Sequence, residues 1–449
     1  MGAAKKYAFW LQSAKYTAIQ KFAVLGIGVV SFMLLSRVLG PESFGVWGLF
    51  ITISTICEAI RLTLIKNAYI RFSQQSDINL QGVIQSATFL VSLAVTIIFA
   101  VGLLALAKPL AGWLNAPSLS VMLSWYLPAL FVGWIFSHFE IIFSSRMDFR
   151  ANCWMYCVRQ GVLLLLIIAA VVAGFSPTPI HLSGIYLVSM ITGTLAGAYF
   201  INPYLKWDIG NAREWMNRLV GFGKFVFGNN LFAMLFRNTD IFLVSRFFGT
   251  TSSAYYNSCL RIGNLVDMPS QVFSDILFPK AAAYNPSDKE PIKNLYEKSV
   301  GAMLVFSLPA LLFLLLFPEL VLRVLAGEAF VQAAPILRIT ACFGFVLPFL
   351  KQFGNTMDAT GRPQVGFRVM ALAFVVNLGA NWIGIRLLGV LGAAWGTAFT
   401  YLLIFAISQV ILYNRFNIRV RNIFKFMFRY YGELWDMCSA KFFNRKRGT

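Results

Sequence analysis

The chain has 449 residues, 58% of them hydrophobic and 12% charged, with a formal net charge of +20. That charged fraction is about half the ~25% of ordinary globular domains, too little polar surface to wet a soluble fold of this length. The composition excludes a soluble enzyme and, with apolar residues gathered in long runs such as 89–107 and 302–317, predicts an all-α polytopic membrane protein.

About twelve spans follow from runs of roughly 20 mainly apolar residues. In chain order they cover 16–39, 43–70, 81–107, 118–144, 150–173, 180–202, 219–247, 252–279, 294–317, 331–357, 364–387 and 390–413. Short connections carry Gly or Pro, as at Gly40-Pro41, Lys108-Pro109 and Gly361 with Pro363. The longest interior connection, 204–218, divides the chain into a first six-span lobe (1–203) and a second (219–414), with a tail at 415–449. If the N-terminus is cytoplasmic, that side holds Lys15, Arg71, Arg146, Lys206, Arg213, Arg362 and the basic tail. The opposite side then holds only Arg37, Lys108, Arg246, Arg323 and Arg386. Cations belong on the cytoplasmic side, so both termini are expected there. The net charge reads as this asymmetry and as contact with anionic lipid, not as nucleic-acid binding.

The first apolar stretch is too long for a cleaved signal and reads as a span. "MGAAKK" has Lys6 where a myristoylation motif needs Ser or Thr. The six cysteines include no CxxC pair and there are only two histidines, so no metal site is expected. There is no GxxxxGK[ST], HExxH or GxSxG, hence no sign of an ATP engine or of a hydrolase. "GIG" at 26–28 reads as close helix packing.

One stretch occurs twice. "SRVLGPESFGVWGLF" starts at Ser36 and "SRFFGTTSSAYYNSC" at Ser245; the same 209 residues separate Arg37 from Arg246 and Gly40 from Gly249. Each copy closes the first span of its half and opens the second. Parallel repeats of this kind build transporters that work by alternating access.

Ionisable residues inside spans cost about 2.5–3.5 kcal/mol each if they face lipid. Span two carries Glu58, Arg61 and Lys66, with Glu58 and Arg61 one turn apart and able to pair. Arg237 and Asp240 lie in span seven, and Arg261, Asp267 and Asp275 in span eight. Lys21, His138, Glu140, Arg159, Arg338 and Lys351 complete the set. Glu58 and Asp267 are again 209 apart. Two readings stay open: interhelical ion pairs that serve assembly, and a polar cavity. In the tail, Val420, Phe424, Phe428, Tyr431, Trp435, Cys438 and Phe442 form a stripe with Arg421, Lys425 and Arg429 off it. That pattern predicts a basic amphipathic helix lying on the cytoplasmic leaflet.

"LSRVLGPESFGVWGLF" resembles the first loop of the polysaccharide-biosynthesis flippases, the O-antigen and lipid-linked oligosaccharide exporters of the multidrug/oligosaccharidyl-lipid/polysaccharide superfamily. "LRVLAGEAFVQAAPILRI" at 322–339 and "NTMDATGRPQVGFRV" at 355–369 resemble later stretches of the same family. The resemblance implies a V-shaped bundle of two six-helix lobes in the bacterial inner membrane. It implies translocation of an undecaprenyl-pyrophosphate-linked glycan to the outer leaflet, with glycan polymerases or glycosyltransferases as partners. In that architecture Lys21, Arg61, Arg237 and Arg261 would flank the cleft as substrate contacts, since guanidinium forks suit phosphate oxygens. Glu58 and Asp267 would be its carboxylates. Asp240, Asn377, Asn381 and Thr397 resemble the sodium site of the lipid II flippase branch, although Asn381 replaces an acid there. They would couple transport to Na⁺ or H⁺, with no other cofactor. A drug or cation antiporter of the same superfamily and a membrane-embedded glycan polymerase or ligase remain as alternatives.

Overall fold

The computed structural model describes the backbone of residues 3–75, 78–282 and 289–445. Asp275, Cys438, Phe442 and the chain beyond 445 lie outside the residues whose side chains are described. The described residues form an all-α polytopic membrane protein. Ten segments among them are long and apolar enough to cross a membrane by length and composition, and they coincide with predicted spans one to six and nine to twelve. The other two predicted spans, seven and eight, lie on the two helical arms of α7 (Ala212–Ala282), which meet at a non-helical kink at Gly249.

The chain divides into two compact units. The first comprises Met1–Met234, Ser245–Ala254 and Val324–Ala329. It contains α1 (Ala3–Val38), α2 (Gly40–Gln75), α3 (Ile78–Trp113), α4 (Pro117–Ser145), α5 (Phe149–Val172) and α6 (Pro179–Ile201). Its core gathers Ile65, Ile84, Phe136, Phe143, Met155 and Trp215. Asp148 caps α5 by accepting from the Ala151 amide (3.1 Å), and Thr178 caps α6. The connection at 204–218 packs on this unit: the Lys206 amide donates to Gln85 Oε1 (3.2 Å) and the Asp208 amide to Ser86 Oγ (3.1 Å).

The duplicated stretch serves the same purpose in both copies. Gly40 (φ +70°) opens α2 and Gly249 (φ +78°) interrupts α7. Both sit in the left-handed region that glycine enters without a Cβ clash. Ser245–Ala254 of the second copy belongs to the first unit by direct bonding. Ser245 Oγ donates to the Leu114 carbonyl (2.7 Å), and Asn115 Nδ2 donates to the Arg246 carbonyl (2.8 Å). A Cβ on Gly45 would stand 2.0 Å from the Thr250 carbonyl oxygen, so only glycine fits there. Arg37 binds Val324 in the same unit through its carbonyl (2.6 Å).

The second unit comprises Leu235–Val244, Tyr255–Arg323 and Phe330–Thr449. It contains α8 (Lys289–Leu316), α9 (Pro318–Leu325) up to Arg323, α10 (Ala334–Gly344), α11 (Leu347–Ala359), α12 (Pro363–Leu388), α13 (Val390–Phe416) and α14 (Val420–Arg445). Predicted span ten is a broken helix: α10 ends at Gly344 and α11 restarts with Pro348 in its first turn. Proline lacks the amide that would continue the ladder but suits a helix start.

The tail differs from the expected surface helix. α14 packs along α8, where a Cβ on Gly301 would meet Phe426 Cβ at 3.0 Å and the Met427 nitrogen at 3.2 Å. Buried Glu297 of α8 accepts from the Arg419 amide (2.9 Å) and from Asn422 Nδ2 (3.2 Å), fixing the start of α14. Tyr431 donates to the Val305 carbonyl (2.9 Å). Ile423 and Met427 form the buried edge, while Phe428 (67% exposed) and Trp435 (76%) point outward. The predicted stripe is therefore split, because α8 offers a glycine and a carboxylate that a lipid surface does not.

Candidate functional site

The residues picked out for ion coupling converge in the second unit. Asp240 sits on α7 before the Gly249 break. Asn377 and Asn381 share one face of α12 at i, i+4 spacing, and Thr397 is on α13. Asn381 Nδ2 donates to Asp240 Oδ1 (2.5 Å), and the Thr397 hydroxyl donates to Oδ2 (2.8 Å). Asn377 Nδ2 donates to Thr397 Oγ1 (2.8 Å), and Asn381 Nδ2 also reaches Asn377 Oδ1 (3.1 Å). All four residues are buried. A fifth joins them: the Tyr256 hydroxyl donates to Asp240 Oδ2 (2.7 Å). Sequence spacing could not reveal Tyr256, because 16 residues and the Gly249 break separate it from Asp240.

Glycines bring α12 and α13 close enough for this. A Cβ on Gly392 would lie 1.8 Å from the Gly384 carbonyl oxygen, and one on Gly384 2.3 Å from that of Gly392. A Cβ on Gly396 would lie 2.5 Å from Asn381 Oδ1. Small residues four apart let helix backbones touch in a membrane, and here that contact sets Asn381 beside Thr397.

The donor set fits a small hard cation. Carboxylate, amide and hydroxyl oxygens are the ligands such ions take, and Asp240, Asn377, Asn381, Thr397 and Tyr256 supply all three kinds. A single carboxylate balances one positive charge. Among the described residues, no Lys or Arg stands within ion-pair distance of the Asp240 oxygens; their partners are neutral donors. Turning the Asn381 amide over would present its oxygen instead of its nitrogen. Among the described residues no group of three or more His, Cys, Asp or Glu gathers as a metal site.

The remaining intramembrane charges are placed differently from expectation. In the first unit Glu58 pairs with Arg159 of α5 (3.1 Å), not with Arg61, and accepts from the Tyr186 hydroxyl (2.5 Å). Arg159 also lies over the rings of Phe136 and Tyr186. Arg61, expected to face substrate, has no exposed surface. Its guanidinium donates to Thr96 Oγ1 (3.3 Å), the Leu130 carbonyl (3.1 Å) and Ser137 Oγ (3.1 Å). It fits there because Gly133 leaves room beside Nη2. Lys66 pairs with Glu140 (2.7 Å), which also accepts from Tyr156 (2.6 Å). Lys21 is exposed on α1. In the second unit Arg237 is exposed and Arg261 is half-buried, with its Nε donating to Asn257 Oδ1 (2.9 Å). Asp267 forms an ion pair with Lys351, and Arg338 lies 3.9 Å from Glu319. The four expected substrate cations thus divide two and two between the units.

Broken spanning helices and a buried carboxylate held by neutral donors mark the chain as a polytopic helical membrane fold. Solved structures agree on the fold. A multidrug resistance MATE family transporter of the MOP superfamily in its inward-facing conformation superposes with a TM-score of 0.74 at 17% identity, covering 90% of this chain and 98% of that one. The lipid II flippase MurJ in an inward closed conformation gives 0.74 at 11% identity, covering 94% and 92%. Residues 34–335 match the polysaccharide biosynthesis protein family, and the chain belongs to it. Among its relatives, the lipopolysaccharide biosynthesis protein WzxC of Escherichia coli is 21% identical over 417 residues, 90% of this chain and 80% of that protein. The succinoglycan biosynthesis transport protein ExoT of Rhizobium meliloti is 22% identical over 378 residues, 81% and 72% respectively.

Proposed function

We propose that the protein is an export flippase that carries a lipid-linked glycan, on an undecaprenyl-pyrophosphate carrier, from the cytoplasmic to the outer leaflet of a bacterial inner membrane, with both termini cytoplasmic. The reading rests on the family match over 34–335 together with relatives named for lipopolysaccharide biosynthesis and succinoglycan transport. In this reading Arg237, exposed, and Arg261, half-buried, both in the second unit, are the proposed contacts for the pyrophosphate, and Lys21 is exposed in the first unit. Arg61 is enclosed by Thr96, Ser137 and Leu130 and is left to the interior of its unit.

The driving force in this proposal is a Na⁺ or H⁺ gradient, held at Asp240 with Asn377, Asn381, Thr397 and Tyr256. The supporting observation is a buried carboxylate held by neutral donors. The test is transfer of a labelled pyrophosphate-linked oligosaccharide between leaflets of reconstituted vesicles, with Na⁺ or H⁺ gradients imposed in turn. Wild-type protein should move the label without changing it covalently. Asp240→Asn keeps the shape and removes the charge, and should cut the response to the effective gradient by about tenfold, the loss of roughly one charge-assisted contact. A variant as responsive as wild type to both gradients would end the coupling role and leave the flippase reading intact. Label that becomes covalently extended would point to a polymerase or ligase. Extrusion of organic cations without label transfer would point to an antiporter.

A further inference from the structure

Within the first unit, α2, α3 and α4 meet along a polar seam that none of the proposed chemistry uses. On α3, Gln85, Thr88, Ser92 and Thr96 recur at three- and four-residue intervals, so they fall within about 80° of one another at 3.6 residues per turn. Each is no more than 1% exposed. Thr96 faces Arg61 of α2, and Arg61 faces Ser137 of α4. The next residue, His138, is 1% exposed and lies with its ring 5.0 Å from that of Phe89 on α3. The seam therefore runs from the Arg61 guanidinium to Gln85, about 16 Å at 1.5 Å per residue.

Its polar groups are incompletely paired. Six buried side-chain atoms along it have no hydrogen-bond partner among the described residues: Arg61 Nε, Gln85 Nε2, Thr88 Oγ1, Ser92 Oγ and both ring nitrogens of His138. Buried polar groups are almost always satisfied, so these six atoms call for a partner that the chain itself does not supply. The groups include donors, acceptors and a cation, a mixture that water can bridge because it both donates and accepts. A buried water makes about three hydrogen bonds, so two or more waters would satisfy the six atoms. At its far end the seam reaches the 204–218 connection, where Lys206 and Asp208 bind Gln85 and Ser86 and the Trp207 ring stacks over His138 at 6.1 Å. Trp207 itself is 54% exposed, so this end of the seam lies beneath a side chain that meets the surface.

We infer that the α2–α3–α4 seam is a water-binding channel, entered beneath Trp207 and ending at Arg61. The channel solvates the Arg61 guanidinium from within the unit, which explains how a fully enclosed cation persists without a carboxylate partner.

Hydroxyl-radical labelling by X-ray pulses reads this directly, because internal water is the source of the radical. The full chain in lipid nanodiscs is exposed and the modification rates of His138 and of equally buried Phe143 are compared after correction for intrinsic reactivity. The expected result is His138 labelling at least fivefold faster than Phe143. In the double variant Thr88→Val with Ser92→Ala, which removes two hydroxyls from the wall, His138 labelling should fall severalfold while exposed Trp113 and Trp154 keep their wild-type rates, showing an intact fold. Labelling of wild-type His138 no faster than Phe143 would overturn the inference. So would a double variant that folds and labels His138 at the wild-type rate.

Discussion

In the first unit Glu58 meets Arg159 at 3.1 Å and Glu140 meets Lys66 at 2.7 Å; in the second, Asp240 meets an amide and two hydroxyls. Both regions solve the same problem, a carboxylate removed from water. A resident cation neutralises Glu58 and Glu140, and nothing mobile is needed. Neutral donors stabilise the charge of Asp240 without cancelling it, which is what the proposed ion coupling requires of the site. The contrast holds inside the second unit as well, where Asp267 is closed by Lys351. Glu140 and Asp267 are buried as Asp240 is, and differ from it in the charge of their partner.

The largest effect should come from opening one of the closed pairs. Arg159→Ala would leave the Glu58 carboxylate with the Tyr186 hydroxyl in a site where Arg159 is 8% exposed. Breaking a buried pair by removing one partner costs about 3–5 kcal/mol. Thermal unfolding in detergent should therefore shift strongly downward for Arg159→Ala, and much of the loss should return in the double variant Arg159→Met with Glu58→Gln. A single variant as stable as wild type would place Glu58 in the same class as Asp240 and break the comparison.

How far the chain alone announces this division depends on which interactions are local. The spans, the paired glycines at 40 and 249 and the i, i+4 asparagines of α12 are set by near neighbours in sequence, so periodicity and the family resemblance find them. Partners across helices are another matter. Glu58 lies within one turn of Arg61 yet takes Arg159, 101 residues away, because a helix face shows direction and not which helix will fill it. The same reason hides the enclosure of Arg61, which depends on Gly133 of α4, and the docking of α14, whose stripe fits a protein groove as well as a lipid surface. Tyr256 is hidden by the break at Gly249, which resets the helical phase between it and Asp240.

A smaller effect should sharpen the open side of the comparison. Gly392→Ala adds a methyl where 1.8 Å separates it from the Gly384 carbonyl oxygen, so α12 and α13 must move apart. Overpacking of this kind costs about 1–3 kcal/mol. The displacement would also draw Asn381 from Thr397, so gradient-driven transfer should fall further than stability does. Equal loss of both, measured at matched folded-protein levels, would mean that the glycine contact serves assembly alone. Gly102→Ala, where no atom lies within 4 Å of the added Cβ, is the control and should be neutral or slightly stabilising.

The smallest change asks whether the neutral shell around Asp240 is structural or takes part in holding the ion. Tyr256→Phe deletes one hydroxyl and leaves Thr397 and Asn381 on the carboxylate. A hydrogen bond to a charged group contributes about 1.5–3 kcal/mol, and the two remaining donors should hold the loss near the lower figure. If Tyr256 only braces the folded unit, the melting temperature falls and the concentration of Na⁺ or H⁺ that gives half-maximal transfer is unchanged. If its oxygen faces the ion, that half-maximal concentration rises by about tenfold, the equivalent of roughly 1.4 kcal/mol. The second outcome is expected, because Tyr256 shares Oδ2 of Asp240 with Thr397, and a cation approaching that oxygen meets both hydroxyls. An unchanged half-maximal concentration would confine the ion-holding set to Asp240, Asn377, Asn381 and Thr397, the residues that the sequence alone had singled out.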